Sequence, residues 1–420
     1  MHPAPSALYN RCNIVDQSTI PKRRCIYIKE QIRLWTRDFS LLTLANLFMA
    51  ISFYFLLPTL PIFVVKALGA DKSQIGYIIG VYTLTSVIIR PLAGYALDTM
   101  GRRPVYLYAL ALFALIMPLY TYASGLALLL LIRLIHGFSW GVITTGGGTI
   151  VADIIPAQRR GEGLGYFGMS MTIAMAIGPT LGLWLAGDTN FSRLFNSAGI
   201  LAAIAFLLAF LVQYPRVPAT KLGLNFHSFI EVKVLSLSLV MFFVTFVYGG
   251  VVSFITIYGP EVGIKNAGLF FLVYAIFTAI TRPFAGQIFD KKGPIQVMLM
   301  GFISLISSFV LLGLWRSPFG FLASAAIMGI GFGMIWPTLM AMIVNMVPPH
   351  RRGVANSTYF SALDLGIGCG SIALGILANN TSTGTMYLVC AFILVVPVLI
   401  YFTYANKSYF TALTNLSSGK

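Results

Sequence analysis

Residues 90–104 read RPLAGYALDTMGRRP, and residues 282–294 read RPFAGQIFDKKGP. The arginine, the first proline, both glycines and the aspartate of the two stretches stand at one constant offset of 192 residues, which is 282 minus 90. The same offset carries PAQRRG at residues 156–161 onto PPHRRG at residues 348–353. Because two separate segments agree on one offset, the sequence indicates an internal duplication.

Long apolar runs surround these motifs and fill most of the chain. Of the 420 residues, 58% are hydrophobic and 10% charged, and the mean hydropathy is +0.85. So little charge cannot cover a water-soluble globule of this size. A membrane-spanning helix needs about 20 mostly apolar residues. Runs of this kind predict twelve spans, over residues 39–65, 75–97, 105–122, 126–152, 164–187, 196–213, 234–258, 267–289, 295–314, 319–347, 354–377 and 386–404.

The expected fold class is an all-α membrane protein with two parallel six-helix repeats. The runs lack the ten-residue alternation of a membrane barrel, so helices must satisfy the backbone. A repeat that contains six spans returns to the same side of the membrane, which makes the two copies parallel. The predicted parts are an arm (1–38), a first bundle (39–213), a central loop (214–233), a second bundle (234–404) and a tail (405–420).

The net charge of +16 follows the membrane topology rather than a nucleic-acid surface. Only five of the 28 lysines and arginines fall in the odd-numbered breaks between spans, namely Lys66, Lys72, Arg193, Lys265 and Arg316. Most of the others lie in the arm, the even-numbered breaks and the tail. The positive-inside rule therefore predicts a multi-pass inner-membrane protein with both termini in the cytoplasm. The four cysteines form no disulfide or metal pattern, so we expect no metal, cofactor or nucleic-acid partner.

The duplicated loop resembles the signature between the second and third spans of the major facilitator superfamily. In the first copy the matching residues are Gly94, Asp98, Gly101, Arg102 and Arg103. The resemblance covers the chain after residue 38 and implies a secondary transporter rather than an enzyme. In that family such a cluster, with Asp153 at the end of the fourth span, latches the two halves together. The alternative is a solvated loop whose arginines only set the topology.

The second copy of the loop consists of Arg282, Gly286, Asp290 and Gly293. It departs from the pattern at Pro294, which stands where the first copy has a basic residue. Arg90 and Arg282 precede the two aspartates within the helices. Their symmetry favours a packing or gating role over contact with a substrate.

Charges inside the hydrocarbon are the sharper functional signal, because each costs about 2.5–3.5 kcal/mol on insertion scales. Asp364 lies mid-span and is the first candidate for a proton site, or for the partner of a cationic substrate. Arg133, in a stretch that resembles the Arg-x-x-x-Gly motif of the family, is the second proton-coupling candidate. The alternatives are a helix-to-helix hydrogen bond for Asp364, carbonyl ligation for Arg133, and simple packing for His136.

The fifth span carries Gly165, Gly178, Pro179 and Gly182, a partial match to the glycine–proline motif of antiporters in this superfamily. Ala174 and Leu183 depart from that motif. A proline removes a helix hydrogen bond and glycines admit a close neighbour, so a kinked and tightly sealed interface is expected. The match favours export over import.

Aromatic residues that also carry a polar group can line a binding pocket for an amphipathic ligand. The candidate pocket residues are Asn46, Tyr54, Trp140, Tyr248, Trp336 and Tyr359. The leading interpretation is a monomeric exporter of a small amphipathic molecule (drug, sugar or metallophore-like metabolite), which resembles the twelve-span drug:proton antiporters and exchanges its substrate for protons. The alternatives are a proton symporter that imports a small sugar or organic acid, and a non-transporting membrane receptor.

Overall fold

The structure, a computed structural model, describes residues 33–69, 74–187, 190–215, 217, 225–264 and 266–418. Most of the predicted arm and part of the predicted central loop lie outside these ranges. Twelve long helices carry the described chain: α1 Arg37–Lys66, α2 Gln74–Thr99, α3 Arg102–Leu119, α4 Leu126–Ile154, α5 Arg160–Ala186, α6 Phe191–Phe210, α7 Leu235–Glu261, α8 Gly268–Lys292, α9 Pro294–Leu314, α10 Pro318–Asn345, α11 Arg352–Asn380 and α12, which consists of the successive segments Thr383–Ile393, Val395–Ile400, Tyr401–Ala405 and Asn406–Ser417.

The all-helical fold predicted from the apolar runs is confirmed. Among the described residues, eleven of these helices are long and apolar enough to cross a membrane, and α2 is the twelfth long helix, with 26 residues. The predicted end of the last span, residue 404, is not the end of its helix. α12 continues through a π-helical turn, Tyr401–Ala405, into a further helical segment, Asn406–Ser417.

Glycines set the sharp turns that follow α2 and α8. Gly101 has φ = 97° and Gly293 has φ = 81°, a left-handed region that is strained for other residues. Each turn redirects the chain into the next helix, so α3 begins at Arg102 and α9 begins at Pro294. The duplicated motif thus places the two aspartates beside equivalent turns.

The two sets of six helices pack in the same internal pattern. In the first set α1 packs on α5 and α6, α2 on α4, and α3 on α6; in the second set α7 packs on α11, α8 on α10, and α9 on α12. The two sets meet mainly through α5 against α8 and α2 against α11. We call the end of the bundle where α2, α4, α8 and α10 finish and α3, α5, α9 and α11 begin the junction end.

Candidate functional site

Asp98, at the end of α2, receives the N-terminus of a helix from the other half. Its Oδ1 accepts a hydrogen bond from the backbone N–H of Gly353 at 2.9 Å, and its Oδ2 accepts one from Val354 at 2.9 Å. These are among the first amides of α11, which have no partner within their own helix and carry the positive end of the helix dipole. The buried carboxylate therefore caps α11 and ties the halves together.

Arg102 extends this contact into a network of alternating charge. It donates to Asp98 Oδ1 at 2.6 Å, to Asp153 Oδ2 at 3.1 Å and to the carbonyl of Pro349 at 2.6 Å. Asp153 is in turn paired with Arg352 of α11, Nη1 to Oδ1, at 2.5 Å. Asp98, Arg102, Asp153, Arg352 and the start of α11 form what we call the first junction.

The second junction repeats this design with α5 and α8. Asp290 accepts the backbone N–H of Gly161 at 2.8 Å and that of Glu162 at 2.9 Å, so it caps α5 as Asp98 caps α11. Arg160, the equivalent of Arg352, hydrogen-bonds the side chain of Asn345 at the end of α10. The second junction thus consists of Asp290, Arg160, Asn345 and the start of α5.

The two junctions differ by a matched pair of charges. The 192-residue offset places Pro294 opposite Arg102 and Asn345 opposite Asp153. One cation and one anion are therefore absent together from the second junction. The first junction holds three ion pairs (Arg102 with Asp98, Arg102 with Asp153 and Arg352 with Asp153), whereas at the second the carboxylate binds backbone amides and the arginine binds an amide side chain.

Close helix contact at both junctions depends on glycine. A Cβ added to Gly94 would lie 2.7 Å from the carbonyl oxygen of Gly353, and one added to Gly286 would lie 2.5 Å from Cα of Glu162. Both neighbours are backbone atoms of the opposite half, which cannot move aside as a flexible side chain would. A side chain at either position would push α2 from α11, or α8 from α5.

Arg103 lies outside both junctions, although the motif includes it. Its guanidinium is 5.4 Å from the ring centre of Phe210 and 6.0 Å from that of Tyr214. Of the two adjacent arginines, only Arg102 therefore contributes to the contact between halves.

Deeper in the bundle, a second kind of contact joins the halves. Arg90 Nε of α2 is 2.8 Å from Asp364 Oδ2 of α11, and the guanidinium also donates to the hydroxyls of Thr144 and Thr145. It lies 5.0 Å from the ring centre of Phe360. Asp364 is therefore part of an interhelical ion pair, and its partner is Arg90.

Arg133, the other proton-coupling candidate, makes a different set of contacts. Its Nε donates to the carbonyl of Ile78 at 3.2 Å, and its guanidinium lies 4.4 Å from the ring centre of Tyr82. His136 is buried and shares a 2.8 Å hydrogen bond with the Tyr120 hydroxyl.

The glycines of α5 serve two different interfaces. A Cβ at Gly178 would lie 2.5 Å from Cβ of Tyr54, and one at Gly182 would lie 2.6 Å from the carbonyl oxygen of Phe55, so both pack on α1. Gly165 instead approaches the carbonyl oxygen of Arg282 on α8. The region around Pro179 therefore seals α5 against α1 within one half, while the junction end of α5 meets the other half.

Four of the six candidate pocket residues come together. The guanidinium of Arg282 lies within electrostatic reach of Tyr54, Tyr248 and Tyr359, and 5.8 Å from the ring centre of Trp336. Tyr274, which the sequence did not single out, completes the group; we call these six residues the Arg282 cluster. Asn46 and Trp140 lie elsewhere: Asn46 donates to the Ser170 hydroxyl at 2.7 Å, and Trp140 stacks on Phe53 with ring centres 4.0 Å apart.

Comparison with known proteins decides the family. The pattern described as Major Facilitator Superfamily matches residues 42–305 and 237–416, which together span nearly the whole described chain. The chain belongs to the major facilitator superfamily. It is thus a multi-pass membrane transporter, and the resemblance seen in the duplicated loop is confirmed.

Two relatives from this superfamily illustrate the match. The staphylopine export protein of Staphylococcus aureus is 24% identical over 353 residues, 80% of this chain and 88% of that one. An uncharacterised transporter of the superfamily from Methanocaldococcus jannaschii is 23% identical over 365 residues, 83% of this chain and 93% of that one.

Solved structures of the superfamily share the fold. The crystal structure of the human organic anion transporter MFSD10 (TETRAN) has a TM-score of 0.76 at 20% identity and covers 87% of this chain and 98% of its own. The proton:xylose symporter XylE, bound to 6-bromo-6-deoxy-D-glucose, has a TM-score of 0.72 at 16% identity and covers 88% and 95%. At these identities the likeness concerns the fold alone.

Several residues that bridge the halves of this superfamily member were not singled out from the sequence. They are Arg160, Asn345, Arg352, Gly353 and Val354. The pairing of Arg90 with Asp364 was also not predicted. The duplicated loops at residues 156–161 and 348–353 contain three of them. The shared offset was a signal for those three, because it marks both loops as parts of the same repeated unit.

Proposed function

We propose that this protein is a proton-coupled secondary transporter that exports a small amphipathic molecule, such as a drug, a sugar or a metallophore-like metabolite, by alternating access. The ion pair between Arg90 and Asp364 carries this proposal. It lies about 18 Å from the first residue of α11, at 1.5 Å per residue, and so within the hydrocarbon. Because its partners belong to different halves, the pair breaks when the junction end opens.

Protonation of Asp364 links proton binding to that opening. A neutral carboxyl group no longer forms an ion pair with Arg90, whose other polar partners are the hydroxyls of Thr144 and Thr145. The side chain of Asp364 is 17% exposed, whereas that of Arg90 is 3% exposed, so water has access to the acid rather than the cation. Proton uptake therefore favours the state open at the junction end, and proton release favours the closed state.

The protein is proposed to act as a monomer in the inner membrane, with the junction end facing the cytoplasm. This orientation is supported by the excess of basic residues in the even-numbered breaks. In this orientation the described conformation is closed toward the cytoplasm, and Asp364 takes its proton from outside. An inward proton flux then resets the transporter to load substrate from the cytoplasm.

Export is supported by two observations. The glycines around Pro179 seal α5 against α1, in partial agreement with the antiporter motif. A relative that aligns with 80% of this chain is named as an export protein. A proton symporter would use the same bundle, and the direction of flux separates the two.

The test is transport of a panel of amphipathic compounds into inside-out proteoliposomes under an imposed pH gradient, acidic inside. Wild type should accumulate at least one compound against its concentration gradient, and Asp364→Asn should lose more than tenfold of this gradient-driven flux. Glu261→Gln, an exposed carboxylate on α7, is the matched control and should keep it. Gradient-driven flux that survives Asp364→Asn would disprove the proton site, and accumulation only when the gradient is reversed would indicate symport.

A further inference from the structure

Arg282 occupies in α8 the position that Arg90 occupies in α2, but without the same partners. The 192-residue offset replaces Asp364 by Thr172, Thr144 by Trp336 and Thr145 by Pro337. Arg282 thus loses a carboxylate and two hydroxyls at once. In their place it has the face of Trp336 and one backbone carbonyl, that of Gly168.

The three-dimensional neighbourhood agrees with this comparison. Thr172 Oγ1 donates to the carbonyl oxygen of Gly168 at 3.4 Å, and Arg282 Nη1 donates to the same oxygen. Thr172 and Arg282 therefore meet at one carbonyl oxygen, so Thr172, at the position equivalent to Asp364, lies near the arginine. Within the part of the chain that the structure describes, no carboxylate forms an ion pair with Arg282.

A buried guanidinium without a counter-charge is costly. Arg282 is 6% exposed, and its Nε is buried without a hydrogen-bond partner among the described residues. Removing the partner of a buried ion pair leaves an uncompensated charge, which proteins seldom tolerate without a functional reason. The missing negative charge is therefore best supplied from outside the chain.

The residues around Arg282 suit an anion that carries an apolar body. Tyr54 comes from the first half, whereas Tyr248, Tyr274 and Tyr359 come from the second, so the cluster lies where the halves face each other. Tyr54, Tyr248 and Trp336 remain partly accessible despite this interior position. The hydroxyl groups of Tyr54 and Tyr248 and the indole N–H of Trp336 can donate to carboxylate oxygens, and the three rings offer faces to an apolar or aromatic group.

We propose that Arg282 binds an anionic group of the substrate, a carboxylate attached to an apolar or aromatic body. This carboxylate takes beside Arg282 the place that Asp364 takes beside Arg90. The inference rests on the proposed transport function and deepens it, because it names the charge and the chemical class of the substrate.

Binding to the purified full-length protein tests this with matched pairs of compounds that differ only in charge. The probes are benzoate and benzamide, 1-naphthylacetate and 1-naphthylacetamide, and indole-3-acetate and indole-3-acetamide, measured by equilibrium dialysis. At least one carboxylate should bind tenfold or more tightly than its amide. Wild type that shows no such preference in any pair, including no binding at all, overturns the proposal.

Two variants locate the preference. Arg282→Gln should reduce the ratio of carboxylate to amide affinity to less than about twofold and leave amide binding unchanged. Thr172→Asp keeps the arginine but supplies the internal carboxylate that Arg90 already has, and should abolish the preference in the same way. Arg193→Gln, which removes an exposed cation in the first turn of α6, is the control and should retain it. A preference that survives Thr172→Asp overturns the proposal even if Arg282→Gln fails to fold.

Flux measurements separate this inference from the proposed function. If the carboxylate preference depends on Arg282 but no probe crosses the bilayer under a pH gradient, the anion site stands and proton-coupled transport fails. If a neutral compound is transported equally by wild type and Arg282→Gln, and no carboxylate is preferred, transport stands and the anion site fails.

Discussion

The two members of the Arg90–Asp364 pair depend on each other unequally. Loss of the acid leaves a nearly inaccessible cation with two hydroxyls, whereas loss of the cation leaves a carboxylate that water can partly reach. We expect Asp364→Asn and Arg90→Gln each to lower the free energy of unfolding, by up to about 3–5 kcal/mol. The double variant should lose clearly less than the sum of the single losses, because neither charge is then left alone. Thermal and denaturant unfolding in detergent measure this cycle; additive losses would show that the pair contributes nothing across the halves.

Which residues form such pairs could be predicted from the sequence only in part. The rarity of charge in the spans singled out Asp364 and Arg133, yet the partner of Asp364 is Arg90, which belongs to another helix and lies 274 positions away. No local pattern encodes that distance. Likewise, adjacent arginines are equivalent in the motif, but Arg102 turns toward Asp98 while Arg103 lies on the rings of Phe210 and Tyr214.

At the scale of a helix, α2 offers a matched pair of glycines. A Cβ at Gly94 would collide with the backbone of α11, whereas a Cβ at Gly80 of the same helix would meet nothing within 4 Å. Gly80→Ala should be neutral or raise the free energy of unfolding by up to about 1 kcal/mol, the difference in helix propensity. Gly94→Ala should instead separate α2 from α11 and favour the state open at the junction end. Labelling of a single cysteine placed at Ser357 would report this opening; equal labelling in both variants would contradict it.

The end of α12 shows where element prediction from hydropathy stops. Asn406 and Lys407 end the apolar run, and an apolar run was the only quantity that placed the boundary. Polar residues end the contact with lipid but do not break a helix, since neither lacks a backbone N–H. The backbone therefore continues past them, and the Tyr409 hydroxyl reaches Asn345 at the second junction, accepting a hydrogen bond at 3.4 Å.

For the whole molecule, the duplication made the fold predictable because it fixed the number and direction of the spans in each half. The unequal chemistry of the two junctions was only partly visible, through Pro294. The loss of Asp153 in the second copy, as Asn345, becomes meaningful only when Arg160 is seen to bond it. A missing anion compensates a missing cation, and that balance is a property of the assembled site.

This compensation can be tested by introducing both missing charges at the second junction. Pro294→Arg with Asn345→Asp would give the second junction the charges of the first. We expect the double variant to unfold at a higher temperature than either single variant, with each restored charge-assisted contact contributing about 1.5–3 kcal/mol. It should also transport more slowly, because the junction end is held shut. A double variant no more stable than the weaker single variant would show that the charges do not act as a pair.

Because the two junctions differ in strength, they should open one after the other. Two identical junctions would open at the same time. Here, however, hydrogen bonds hold α5 to α8, whereas a network of ion pairs holds α2 to α11. The second junction is the weaker of the two and should open first, so that the halves separate on one side before the other. The first gap then appears on the flank of Arg282, and a solute that enters from that end meets the buried cation before the first junction has moved.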